Sequence, residues 1–185
     1  MGHRMHKEMI VDCLIPAIQE KWPVGEWSNP NFKIKIQQDG AGGHCRSDTD
    51  PFIKEAFRTL EENGNFTPGK ISFYTQPPQS PDLNILDLGL FNALQAQYYN
   101  EAPKDSIEII TMVQKTYDEY PANKINRLWV TLQSIYNCII ENHGDNNYKI
   151  PHMNKERLER LGELPTALKV SREALAELEG AFTAT

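Results

Sequence analysis

The spacing of apolar positions changes period twice along the chain. From Met5 to Lys21, Met9, Ile10, Cys13, Leu14, Ala17 and Ile18 recur at helical spacing, which predicts a helix with one apolar face. Pro16 falls inside it. A proline removes a donor and crowds the preceding turn, so the helix is expected to kink or shorten there. From Phe32 to Gln38 the period drops to two, Phe32, Ile34 and Ile36 alternating with Lys33, Lys35 and Gln37, as in a strand with one apolar face. Asp39-Gly40 ends it. Helical spacing returns after Asp50-Pro51, an N-cap followed by a first helical residue. Phe52, Ile53, Ala56, Phe57 and Leu60 lie on one side, and Asn63-Gly64 is the stop. A second strand, Lys70 to Thr75, carries Ile71, Phe73 and Tyr74.

Strand, helix and strand in that order, with a connection long enough for a crossover, predict two parallel neighbours in one sheet. Beyond them the pattern is helical. One helix is expected over Leu86 to Tyr98, and another over Ser106 to Tyr117, capped by Asp105 or Ser106, with Ile107, Ile110, Val113 and Tyr117 inward. The longest, Ala122 to Asn142, sets Ile125, Leu128, Trp129, Leu132, Ile135, Tyr136 and Ile139 on one face. A short helix from Asn154 or Lys155 to Leu161 and a last one from Ser171 to Phe182, striped by Leu175, Leu178 and Phe182, close the chain. In the loop from Trp22 to Asn31, Trp22 and Trp27 are candidate plugs for the core. The fold class expected is α/β, a small parallel sheet core with a mostly helical C-terminal half. Residues 1–150 are expected to form the core and residues 151–185 a helical extension.

A chain of 185 residues with 39% hydrophobic and 24% charged positions can bury a real core. No window has the unbroken apolar length of a membrane span, and the opening MGHRMHKEM lacks the apolar centre of a signal peptide, so a nuclear or cytoplasmic protein without a membrane partner is expected. Cys13, Cys45 and Cys138 have no metal-binding spacing and are odd in number, which argues against a disulfide framework or zinc knuckle. The formal charge of -6 opposes a chain built to coat a phosphate backbone, because that affinity comes from lysine and arginine displacing counterions. Contact with DNA would be local, weak or metal-assisted.

Candidate chemistry sits at the ends of the two strands, where ligands gather in parallel sheets. Asp39 lies just past the first strand, and the run Gln76 to Asn84 leads from the second to Asp87. A carboxylate pair there suits magnesium or manganese, which take oxygen ligands and keep waters for phosphate oxygens. Asp followed by Gly after a strand is equally the composition of an ordinary turn. His44 is placed to orient a substrate or a carboxylate, or simply to be solvated. Asp82 and Asn84 are placed to ligate or to cap the helix containing Asp87. Lys33, Lys35, Lys54 and Arg58 are too scattered to define a DNA surface.

The strings QQDGAGGH (Gln37 to His44) and SPDLNILDLGLF (Ser80 to Phe91) resemble the second and third acidic motifs of mariner-like DDE transposases, whose catalytic domains have the ribonuclease H-like fold. The resemblance implies that Asp39 and Asp87 are the second and third catalytic acids and ligands of Mg or Mn. It further implies that His44 belongs to the first of these motifs, and that Ser80, Pro81, Asp82, Leu83 and Asn84 form the loop before the last acid. His44, Ser80 and Asn84 become candidate nucleic-acid contacts. Gly40 stands where the family has Asn, Ile85 where it has Pro, and the two acids are further apart than usual.

Nothing before the first helix supplies the family's first catalytic Asp or its opening strands. Glu8 and Asp12 are the acids on that helix that could substitute. The expectation is therefore a transposase-derived remnant acting as a nucleic-acid or protein interaction module. An active metal-dependent endonuclease using Asp39 and Asp87 is the alternative. The sheet is expected to have an edge that either dimerises with a second copy or is masked by a terminal helix.

Overall fold

The computed structural model describes residues 2–22, 29–42, 44, 50–62 and 70–183. The chain is a mixed α/β protein, 60% helical with a small two-stranded parallel sheet. It divides into two compact units, Met1–Ser80 and Pro81–Thr185. The helices after residue 150 belong to the second unit. Trp27, Arg46 and the stop at Asn63-Gly64 lie outside the described residues, as do the side chains of Phe52, Ala56, Leu60, Leu178 and Phe182.

The first unit opens with α1 (Gly2–Met9) and α2 (Ile15–Lys21), joined without a break by a wide turn over Ile10–Leu14 in which the Ile15 N–H donates to the Ile10 carbonyl five residues back. Pro16 follows directly. It cannot donate to the carbonyl one turn back and its ring needs room there, and the widened turn relieves both constraints. The helix is thus neither broken nor shortened at Pro16. The extra residue in the turn rotates the inward face: Ile10, Ile15 and Ile18 are buried, whereas Met9, Cys13 and Ala17, expected on the same face, are exposed.

β1 (Ile34–Gln38) and β2 (Ile71–Thr75) pair in parallel, Ile34 opposite Ile71, Ile36 opposite Phe73 and Gln38 opposite Thr75, with α3 (Pro51–Glu62) between them in the chain. Side chains alternate across a strand, so Ile34, Ile36, Ile71 and Phe73 share one face. That face packs with Ile10, Ile15, Ile18 and Ile53 into one cluster, ringed by Leu14, Trp22, Phe32 and Phe57. Trp22 therefore does plug the core. The opposite face is polar: Tyr74, half-exposed, donates its hydroxyl to Gln37 Oε1 at 2.8 Å.

In the second unit a single 3-10 turn (Pro81–Leu83) and a second wide turn (Leu86–Leu90) run into α4 (Phe91–Glu101), which stops where Ala102 takes a left-handed backbone. Gly89 lies inside that wide turn. A Cβ there would come within 2.5 Å of Leu128 Cδ2, so glycine permits the close approach. α5 (Ser106–Asp118) is capped by Asp105, whose carboxylate accepts from the Ile107 and Glu108 N–H groups, while Glu108 reaches back to the Lys104 N–H.

α5 carries two apolar rows, and the inward one is not the one expected. Met112 is buried and Ile109 and Thr116 are half-buried, three and four residues to either side of it. Ile107, Ile110, Val113 and Tyr117 are exposed. The expected face of α6 (Ala122–Glu141) is inward in part: Leu132 and Ile135 are buried together with Val130, Ser134 and Cys138, Leu128 and Ile139 are half-buried, and Ile125, Trp129 and Tyr136 are exposed. α7 (Lys155–Arg160) is held to α6 by Arg127, which donates to Glu156 at 2.8 Å and to Glu159 through two nitrogens. The extended residues before α8 (Arg172–Thr183) are gripped by amides of α6. Gln133 both donates to the Thr166 carbonyl and accepts from the Leu168 N–H, and Asn137 donates to the Lys169 carbonyl. Among the described residues no helix is long and apolar enough to cross a membrane.

Candidate functional site

β1 ends at Gln38 and delivers Asp39 into a tight turn. Its Oδ1 accepts the Ala41 N–H at 2.9 Å, an Asx turn, and the His44 N–H donates to the Ala41 carbonyl at 3.0 Å, bringing the chain back. His44 is thereby placed beside Asp39, with Nδ1 2.7 Å from Oδ1. That contact is close enough for an ion pair but misaligned for a hydrogen bond, and Nδ1 is a buried nitrogen with no directed partner. Asp39 keeps 49% of its side-chain surface exposed and His44 30%.

A third residue completes this cluster, and it comes from α1. The His6 ring stacks on His44 with centroids 4.3 Å apart and planes inclined by 27°, and its Nε2 lies 3.2 Å from Gln38 Oε1. No local pattern signals this contact, since His6 is 33 positions from Asp39 and sits in a segment legible only as a helix. Of the two acids on the first helix, Glu8 pairs with Arg4 at 2.8 Å and Asp12 is exposed.

The loop after β2 is built by a buried glutamine. Gln76 donates its N–H to the Gln38 carbonyl at 2.7 Å, extending the strand pair by a step, and its side-chain amide donates to the Ser80 carbonyl at 2.5 Å. The Ser80 hydroxyl donates to the Pro78 carbonyl. Both contacts are internal to the first unit.

Asp82, Asn84 and Asp87 belong to the second unit. Asn84 is the cap: its Oδ1 accepts the Leu86 N–H at 3.0 Å and its carbonyl accepts the Leu88 N–H at 2.9 Å. Asp82 instead accepts the Tyr148 hydroxyl, tying the 3-10 turn to the loop after α6. Burial first, and then the neighbouring Asp82 carboxylate, push the Tyr148 phenol well above its ordinary value. Asp87 lies exposed in the first turn of its helix, where a carboxylate is favoured by the helix dipole.

The residues at Asp39 are a poor match for magnesium. That ion takes oxygens at octahedral positions, and the side chains assembled around Asp39 in its own unit are two imidazoles. Among the described residues no group of three or more His, Cys, Asp or Glu side chains is arranged so that it could hold a metal ion. Comparison with protein-family models, curated proteins and solved structures found no match to this chain.

Proposed function

We propose that this chain is a transposase-derived interaction module of partial ribonuclease H-like design, with Asp39 and Asp87 in structural roles, and that its partner is a protein. Descent is supported by the motif pair, QQDGAGGH after β1 and SPDLNILDLGLF at the start of the second unit. The present role is carried by the row on α5. Ile107 is 75% exposed, Ile110 68% and Tyr117 60%, on a well-capped helix that already buries its other apolar row through Met112. A helix with one satisfied and one unsatisfied apolar row is suited to a second contact.

The first partner to test is a second copy, through α5 or through the sheet edge. Ile34 donates to Lys70 and Gln38 accepts from Gln76, so the parallel ladder places the Lys35 N–H on the side of β1 away from β2. Light scattering across a concentration series separates the two surfaces. Ile107→Glu with Ile110→Glu is expected to abolish self-association, while Lys35→Pro, tolerated at an edge, leaves it intact. The reverse result moves the dimer to the sheet edge, and a monomer at every concentration removes the second copy as partner.

Nucleic acid is the second reading. With a charge of -6, retention on DNA is expected to be weak and to disappear as salt rises. DNA binding that persists at physiological salt would replace the protein partner. The enzymatic alternative requires Mg or Mn between Asp39 and Asp87. Incubation of supercoiled DNA with either ion is expected to give no nicks. Nicking that disappears in both Asp39→Asn and Asp87→Asn would establish the enzyme instead.

A further inference from the structure

We propose that the exposed row of α5 is covered by α5 of a second copy, lying antiparallel to it across a two-fold axis centred between Thr111 and Met112. This pairing rests on the interaction reading above and names its partner element and register. Charge complementarity along the row carries it. The exposed apolar side chains Ile107, Ile110, Val113 and Tyr117 are bordered on one flank, at helical spacing, by Glu108 and Lys115, and Lys104 and Glu119 stand just outside the two ends of the helix. Lys104, Lys115 and Glu119 have no ion-pair partner among the described residues. Glu108 commits one oxygen, Oε2, to the Lys104 N–H at 2.7 Å and keeps the other open.

The order of these charges along the chain, positive, negative, positive, negative, decides the direction of pairing. Two copies laid parallel in register set each charge against its like, which is destabilising. Laid antiparallel about the midpoint between Thr111 and Met112, Lys104 meets the partner's Glu119 and Glu108 meets the partner's Lys115, because both pairs are centred on that one point. Two-fold symmetry makes each contact twice. The same register sets Ile110 against the partner's Val113 and Ile107 beside the partner's Tyr117, so the apolar row closes on itself as a two-fold interface requires. Asp118 comes to the first turn of the partner's α5, where the positive end of that helix favours a carboxylate. Exposed ion pairs are individually weak and screened by salt, so they fix the register while the apolar row supplies the affinity.

Sedimentation of the full chain over a range of concentrations reads the pairing. Lys104→Glu and Glu119→Lys each suit the dipole of α5 and so spare the fold, yet each is expected to weaken the dimer about tenfold, through two lost attractions and two new repulsions. Combined in one chain they are expected to restore it, although positions 104 and 119 of a single chain lie about 22 Å apart along the helix and cannot pair with each other. Thr111→Cys, in a chain carrying Cys13→Ser and Cys45→Ser, is expected to be joined to a second copy by a short bismaleimide. Asp118→Cys in the same background, about 20 Å from its counterpart in this register, is not. A dimer lost in Ile107→Glu with Ile110→Glu but not rescued by the double charge exchange, or joined equally at both cysteines, overturns the antiparallel register and leaves α5 as the interaction surface. A dimer that no α5 substitution touches overturns that surface as well. A monomer at every concentration overturns the pairing and leaves the row to a foreign protein.

Discussion

Single residues in this chain show how one atom fixes the use of a motif. Asp82 belongs to the SPDLN run, yet its carboxylate holds Tyr148. Tyr148→Phe is expected to cost about 1.5–3 kcal/mol in denaturant unfolding, the range for a hydrogen bond to a charged group. The sign of the pH dependence follows from the raised phenol: the native state holds that proton more tightly than the unfolded chain does. Its contribution is complete below about pH 10, the unfolded tyrosine value, and is lost as pH rises beyond it. Alkaline unfolding of the native chain should therefore show a step that Tyr148→Phe lacks. Gly89 offers a second test. Alanine gains about 1 kcal/mol of helix propensity there but drives its methyl into Leu128, an overpacking worth about 1–3 kcal/mol. Net destabilisation is expected in thermal unfolding, and the substitution should become stabilising in a Leu128→Ala background.

At the level of elements, type and order were legible and the orientation of faces was not. The alternation over Phe32 to Gln38 and the Asp50-Pro51 start have backbone causes that act locally, and β1, α3 and β2 stand where those signals put them. Asp105 resolves the cap of α5 for the same reason. Asp105→Ala is expected to cost about 1 kcal/mol and to speed amide exchange in the first turn of α5 without changing α6. Which row of a helix faces inward is a different matter. α5 carries Ile109, Met112 and Thr116 on one side and Ile107, Ile110 and Tyr117 on another, and a single-chain pattern weights the larger row. Packing chose the smaller one. In the first helix the wide turn at Ile10–Leu14 shifts the inward positions from a three-and-four spacing to one of five and three, Ile10, Ile15 and Ile18, which no fixed period describes. Ile15→Ala is expected to cost about 2–5 kcal/mol and to loosen the sheet, whereas Cys13→Ala should be neutral.

Over the whole molecule, the two acids singled out in the sequence fall on opposite sides of the boundary at Ser80 and Pro81, each with a role in its own unit. Asp39 closes a turn through Ala41, and Asp87 sits at the positive end of a helix. Unit-specific unfolding tests that independence. Ile53→Ala, in the core of the first unit, is expected to lower the stability of that unit by about 2–5 kcal/mol. Tyr148→Phe is expected to act on the second alone, with hydrogen exchange separating the two.

The sequence alone determined what depends on neighbours in the chain: where helices and strands begin, that the strands run parallel, that Asp105 and Asn84 sit where caps are needed, and that Trp22 belongs against a core. Those features follow from backbone geometry and from hydrogen bonds a few residues long. Tertiary structure alone decided which of two apolar rows on α5 is buried, how the helix passes Pro16, and that His6 meets His44 beside Asp39. The buried row of α5 and the meeting of His6 with His44 are settled by packing between separate segments, and the wide turn at Ile10–Leu14 shifts the register of every inward side chain that follows it.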